Sequence, residues 1–284
     1  MKTKFLILSF IVFFICINTL FGKTKLSLQK AIDKKIISAK SICAGGLELN
    51  YSITNLIKDS LVISIPAGWR FNSDAGKNDY QDILITHDEI LTLRAKETKT
   101  FNIKGFCCES TKDGPIKGVN YTVGKLADSN LVALARYLKT KIIDENTQQY
   151  SIWAISDKEE TANITSSNDS LAALIRHFVS NLKGEPLPWY TLLKSSSVSR
   201  AGNVNDIPVR FKAEFNYLVL KTCYSYCFIL DDKGNKVSEI FGKWLHPESS
   251  DYKADFNVLG LKKGEYKLVL QSGKDSLFER IFKI

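Results

Sequence analysis

Apolar residues recur at every second position through the first third of the chain. Leu47, Leu49, Tyr51 and Ile53 form one such set, followed by Leu61, Ile63 and Ile65, by Ile83 and Ile85, by Leu91 and Leu93, and by Phe101 and Ile103. Period two turns one face of each segment toward a core and the other toward water, so about five short strands in a sandwich-like arrangement are expected. Asn55 and Pro66-Ala67-Gly68 supply turns between them. Ahead of the strands, Leu28, Ala31 and Ile32 stand at helical spacing and predict a short lead-in helix.

The period changes after a loop from Glu109 to Gly118 that holds Gly114-Pro115. Leu131, Leu134, Ala135 and Leu138 mark a helix that Asp128 or Ser129 can cap. A second helix is expected from about Thr147, capped by that hydroxyl or by Asn146, with Gln149 in its first turn. A third places Leu171, Leu174, Ile175, Phe178 and Leu182 along one side, between a start at Asn168 or Asp169 and a stop at Gly184 and Pro186. Strands first and helices second predict an α+β domain over 23–190, a β-sandwich plus a three-helix subdomain. The stretch 191–205, Ser-rich from Lys194 to Asn203, reads as a linker. Beyond it Val209, Phe211, Ala213 and Phe215 alternate, and Asp231-Asp232-Lys233-Gly234-Asn235 signals a hairpin. An all-β, immunoglobulin-like sandwich is therefore expected over 206–284.

The first 22 residues change the picture, because Lys2 and Lys4 precede an apolar run from Phe5 to Phe21 that ends at the small Gly22. This is the pattern of a signal peptide, with export to the cell surface or medium and no stable membrane span after cleavage. The run is close to the shortest that crosses a bilayer, so an uncleaved anchor is the alternative. Cys16 follows Phe14 and Ile15, which are too bulky for a lipoprotein signal. Cleavage takes the formal charge from +9 to +7. The basic residues are scattered rather than striped, so a nucleic-acid partner is not expected. Of the three histidines, His87, His177 and His246, none stands at metal-ligand spacing, and no phosphate-binding glycine loop is present. No metal and no cofactor are expected.

Removal of Cys16 leaves Cys43, Cys107, Cys108, Cys223 and Cys227, an odd number. At least one thiol must stay unpaired, pair between chains or be used otherwise. Cys223 and Cys227 lie about 13 Å apart along an extended run, too far to bond without a bend. Cys43 with Cys108 is the first disulfide candidate. On a period-two strand Phe101, Ile103, Gly105 and Cys107 share the more apolar face, which turns Cys107 inward and Cys108 outward unless a bulge at Gly105 reverses them. Forty-two positions on, Gln149 precedes Trp153 by one helical turn, so that an indole lies beside a carboxamide.

Gly105-Phe106-Cys107-Cys108-Glu109 and Gln148 to Ile155 together resemble the Cys and Gln motifs of bacterial thioester domains. The Pro66-Ala67-Gly68 turn, Gln81-Asp82 and Gly114-Pro115 fall in the order associated with those modules, although the Cys-to-Gln spacing is much shorter than in the Gram-positive adhesins. The resemblance implies an internal thioester: the Cys107 sulfur attacks the Gln149 carboxamide, expels ammonia and leaves an acyl group that captures an amine on a partner protein or glycan. Phe106 and Trp153 would cover the bond. Such a protein binds once and is not an enzyme. The segments Leu259 to Leu270 and Phe278 to Ile284 are similar to the closing strands of type IX secretion sorting domains, without their Pro-Asn-Pro opening. The alternatives are a non-covalent adhesion or structural module, or a cysteine hydrolase pairing Cys107 with a remote histidine.

Overall fold

The computed structural model describes residues 24–74, 80–198 and 204–284; the signal segment and Cys16 lie outside them. The chain forms two compact units that divide between Ile142 and Ile143. The first is built on β-sheets, and helices followed by an antiparallel sandwich make up the second.

The first unit opens with β1 (Thr24–Ser27) and α1 (Leu28–Asp33), where Ser27 caps the helix by accepting from the Lys30 amide. β1 runs parallel to β4 (Leu61–Ile65), which pairs with β7 (Glu89–Leu93). A larger sheet takes β2 (Ile37–Gly45), β3 (Glu48–Asn55), β5 (Trp69–Ser73), β6 (Ile83–Leu84), β8 (Thr98–Lys104), β9 (Phe106–Cys107) and β10 (Asn120–Leu126) in the order β8-β3-β2-β10-β5-β6-β9. The expected strands are present, and β1, β2, β5, β9 and β10 add to them. β2 escaped the pattern because its inward positions include Ser41 and Cys43, both buried yet one polar and one small.

The ends of that order carry a geometric consequence. Strands β8 and β9 are separated only by Gly105, yet they occupy opposite edges of seven strands. An open sheet would hold those edges roughly 29 Å apart, at about 4.8 Å per strand. One residue cannot span that, so the sheet curls until its two edge strands meet at that corner. Gly105 is the corner: its amide donates to the Leu47 carbonyl at 3.0 Å, and a Cβ there would lie 2.4 Å from Ile83 Cγ2 and 2.8 Å from the Leu84 oxygen. Helix α2 (Ser129–Leu138), capped by Asp128, buries Leu131, Leu134, Ala135 and Leu138 as their spacing predicts.

In the second unit α3 (Glu145–Ser156), a 3-10 turn (Thr161–Asn163) and α4 (Asp169–Lys183) precede seven strands. The inner stripe of α4 is Ala172, Ile175 and Val179, while Leu174 is 58% exposed. Small residues on the expected polar side let that face pack closely, which rotates the helix from the leucine-based register. The strands are β11 (Tyr190–Val198), β12 (Val204–Val219), β13 (Cys223–Leu230), β14 (Lys236–Leu245), β15 (Glu248–Asn257), β16 (Glu265–Ser272) and β17 (Asp275–Lys283). They form two antiparallel sheets, β11-β12-β15 and β14-β13-β16-β17, as the expected sandwich. Phe211, Phe215, Ile229, Leu268 and Phe282 fill its core. The hairpin at Asp231 forms, with that carboxylate accepting from the Lys233 and Asn235 amides. Residues 191–198 and 204–205, read in the sequence as linker, lie in β11 and β12, where Leu192 is buried. The serines at 195–197 do not prevent pairing, because Lys194 to Val198 find registered partners from Pro208 to Val204 on β12.

Candidate functional site

The Cys motif closes the rolled sheet. Cys107 stands opposite Ile83 and Phe106 opposite Leu84, and the Cys108 amide donates to the Asp82 carbonyl at 2.9 Å. Phe106, Cys107 and Cys108 are all buried, at 3%, 5% and 0% exposure. Cys108 thus departs from the outward position expected of it. Gly105 ends one strand and starts another, so the alternation counted from Phe101 does not carry through the corner.

A charged clamp holds this corner. The Arg70 guanidinium donates to Asp82 Oδ2 at 2.8 Å and to Glu109 Oε1. Glu109 Oε2 accepts the Asp82 amide at 2.8 Å, and Asp82 Oδ1 accepts the Ser73 amide at 2.8 Å. The residue after the cysteine pair is thereby tied to the one that receives the Cys108 amide. Beside it, the Tyr121 hydroxyl donates to the Gln81 carbonyl at 2.9 Å. Nothing in the sequence pairs Arg70 with Glu109, 39 positions away; only the charges flanking Ile83 and Cys108 hinted at the clamp.

Burial is the largest influence on the Cys107 thiol and, with the Glu109 and Cys43 charges adding to it, pushes it up to about 12. Burial also raises Cys43 and Cys108. The five described cysteines form no disulfide, and the Cys43 thiol points at the Gly46 carbonyl at 3.8 Å. Burial thus favours the neutral form of the Cys107 thiol.

The Gln motif lies in the second unit, whereas Cys107 and Phe106 belong to the first. Gln149 and Trp153 both fall within α3, one turn apart. The helix starts at Glu145 rather than at Thr147, because Asp144 caps it by accepting from the Thr147 amide at 2.8 Å. Gln149 therefore sits in the second turn. Trp153 is buried and meets Tyr150 edge-on at 5.7 Å, and Lys194 of β11 lies over the Tyr150 ring at 5.6 Å. Lys194 also pairs with Glu159 at 3.3 Å. The helix that bears Gln149 is thus pinned to the first strand of the sandwich.

Burial alone would raise the Asp144 carboxyl, but the bonds from Thr147 and from the Ser166 hydroxyl at 2.7 Å leave it below its usual range. A lowered carboxyl stabilises the fold fully above its ordinary value, near 4, and that share is lost as pH falls through the folded value. Asp144→Ala is expected to cost about 1 kcal/mol at neutral pH, read as faster amide exchange in α3. The difference from the parent chain should narrow as pH falls toward 3; an unchanged exchange rate at neutral pH would contradict the cap.

Among the described residues no group of His, Cys, Asp and Glu could hold a metal ion, and no helix is long and apolar enough to cross a membrane. No family model matches the sequence. A stretch of 102 residues, 35% of this chain, is 28% identical to isoleucine–tRNA ligase of Mycoplasma mobile and covers 11% of that enzyme. The solved structure of β-glucosidase from Kluyveromyces marxianus in complex with glucose aligns at 10% identity over 87% of this chain and 47% of the glucosidase. Its TM-score is 0.22, too low to support any argument from likeness. The chain therefore spans about a tenth of the ligase and under half of the glucosidase, and what its site does is read from its own residues.

Proposed function

We propose that this is an exported bacterial protein, secreted or held at the cell surface, that binds an amine-bearing protein or glycan covalently through a thioester between Cys107 and Gln149. Cys107 is the nucleophile and later the leaving group, Gln149 is the acyl donor, and Phe106 and Trp153 keep water away. The protein acts once per molecule, and the C-terminal sandwich serves as its sorting or display module. The observation that supports this most is the state of Cys107: a thiol at 5% exposure on a strand end tied down through Glu109. An acyl thioester persists only where water is excluded, and a fixed sulfur gains most from intramolecular reaction. The same burial weakens the hydrolase alternative.

The test is methylamine capture. The parent chain, folded with its thiols kept reduced, is expected to take up one methylamine at Gln149 and to expose one thiol at Cys107. Cys107→Ala and Gln149→Ala should each abolish uptake while leaving the circular dichroism spectrum unchanged. Uptake by either variant, or unfolding of both, would overturn the assignment.

A second reading, a non-covalent adhesion module, draws on the outer face of β13 and β14. Tyr224 stands opposite Trp244, and Trp244, Tyr226 and Tyr224 are 62%, 45% and 39% exposed. Such rings favour contact surfaces. Reversible binding by a chain inert to methylamine would decide for this reading.

A further inference from the structure

The rolled sheet places a second cysteine on the same interior as Cys107. Residues directly opposite across neighbouring strands share a face, as do residues two apart on one strand. Cys107 pairs with Ile83, Ile83 with Phe71, and Phe71 with Val123. Tyr121 lies two residues before Val123 and pairs with Ser41, and Cys43 lies two residues beyond Ser41. Cys107, Tyr121 and Cys43 therefore all face the inside of the sheet. Closure at Gly105 brings the two ends of the strand order together, and β2 is two strands from the β8 end. All three are buried, Cys107 at 5%, Tyr121 at 3% and Cys43 at 1% exposure.

We propose that Cys43 is the disulfide partner of Cys107, the two joining across the interior of the closed sheet when the chain folds under oxidising conditions. The pair gives up two electrons and two protons, and a small-molecule disulfide accepts both and leaves as two thiols. This replaces Cys43 with Cys108 as the pairing to test. It also accounts for an odd thiol set in which Cys108, Cys223 and Cys227 stay out of the reaction. Timing follows from the burial of Cys107: only a thiolate exchanges, and burial holds this thiol in its neutral form. The choice is therefore made while the sheet is still open. The consequence for function rests on the thioester reading, because a sulfur bonded to Cys43 cannot attack Gln149. The bridged chain is then a form locked against covalent capture.

The experiment refolds the full chain from denaturant in two buffers, one with reduced glutathione alone and one with a reduced and oxidised glutathione mixture. Each product is alkylated, digested without reductant and mapped by mass spectrometry, with methylamine uptake measured in parallel. The expected result is a linked peptide pair carrying Cys43 and Cys107 in the oxidised sample and its loss in the reduced one. Cys107 linked to any other cysteine, or Cys43 recovered wholly alkylated after oxidative refolding, overturns the proposal. Cys43→Ala refolded in the oxidising mixture should take up methylamine where the parent does not. A Cys43–Cys107 link with no uptake in the variant or in the reduced parent keeps the bridge and discards the thioester.

Discussion

Gly105→Ala is expected to destabilise the first unit by about 3 kcal/mol, at the upper end of the cost of overpacking a filled site. The added Cβ would sit 2.4 Å from Ile83 Cγ2 and 2.8 Å from the Leu84 carbonyl oxygen. Neither neighbour can retreat, because Ile83 and Leu84 form the short strand that pairs with Cys107 and Phe106. Relief would require β9 to leave β6, which opens the closed sheet and wets Cys107. Urea denaturation followed by tryptophan fluorescence checks this, and a loss under about 1 kcal/mol would mean that the corner at Gly105 does not close the sheet.

Arg70→Ala should be equally damaging, for an electrostatic reason. The guanidinium is shared by Asp82 and Glu109, whose side chains are only 17% and 16% exposed. Removing one partner of a largely buried ion pair leaves charge with neither water nor counterion, at a cost of about 3 kcal/mol. Here two carboxylates are stranded together and repel each other. Adding Glu109→Gln to Arg70→Ala should recover part of the loss, since the amide removes one charge. A double variant no more stable than Arg70→Ala alone would show that the clamp acts through packing rather than charge.

What the sequence revealed depended on whether local pattern or distant pairing decides the structure. The helix faces of α2 and the strands around Tyr51, Ile63 and Leu91 are set by residues within a few positions of one another, and their periods were legible. So was the hairpin at Asp231, where one carboxylate organises its own turn. The closed sheet was not, because β9 is two residues long and its partner β6 lies 23 positions earlier. β2 turns Ser41 and Cys43 inward, residues that a hydrophobicity pattern passes over. The cap of α3 was misplaced for a similar reason: Asp144, Asn146 and Thr147 are all good caps, and only the bond from Thr147 to Asp144 separates them. The chemistry proposed for the site was drawn from Cys107, Gln149 and Trp153, whereas the support of the Cys107 strand end by Arg70, Asp82 and Glu109 was not visible in the sequence. Those three charges look like ordinary surface residues until the fold brings them together.

The most direct measurement is the intact mass of the chain folded with its thiols kept reduced and then purified without amines. A thioester between Cys107 and Gln149 makes the protein lighter than its sequence by one ammonia, and digestion should place the missing mass in a peptide pair that joins those two residues. A chain at full sequence mass, with Gln149 an intact carboxamide and Cys107 open to alkylation after unfolding, would contradict covalent capture.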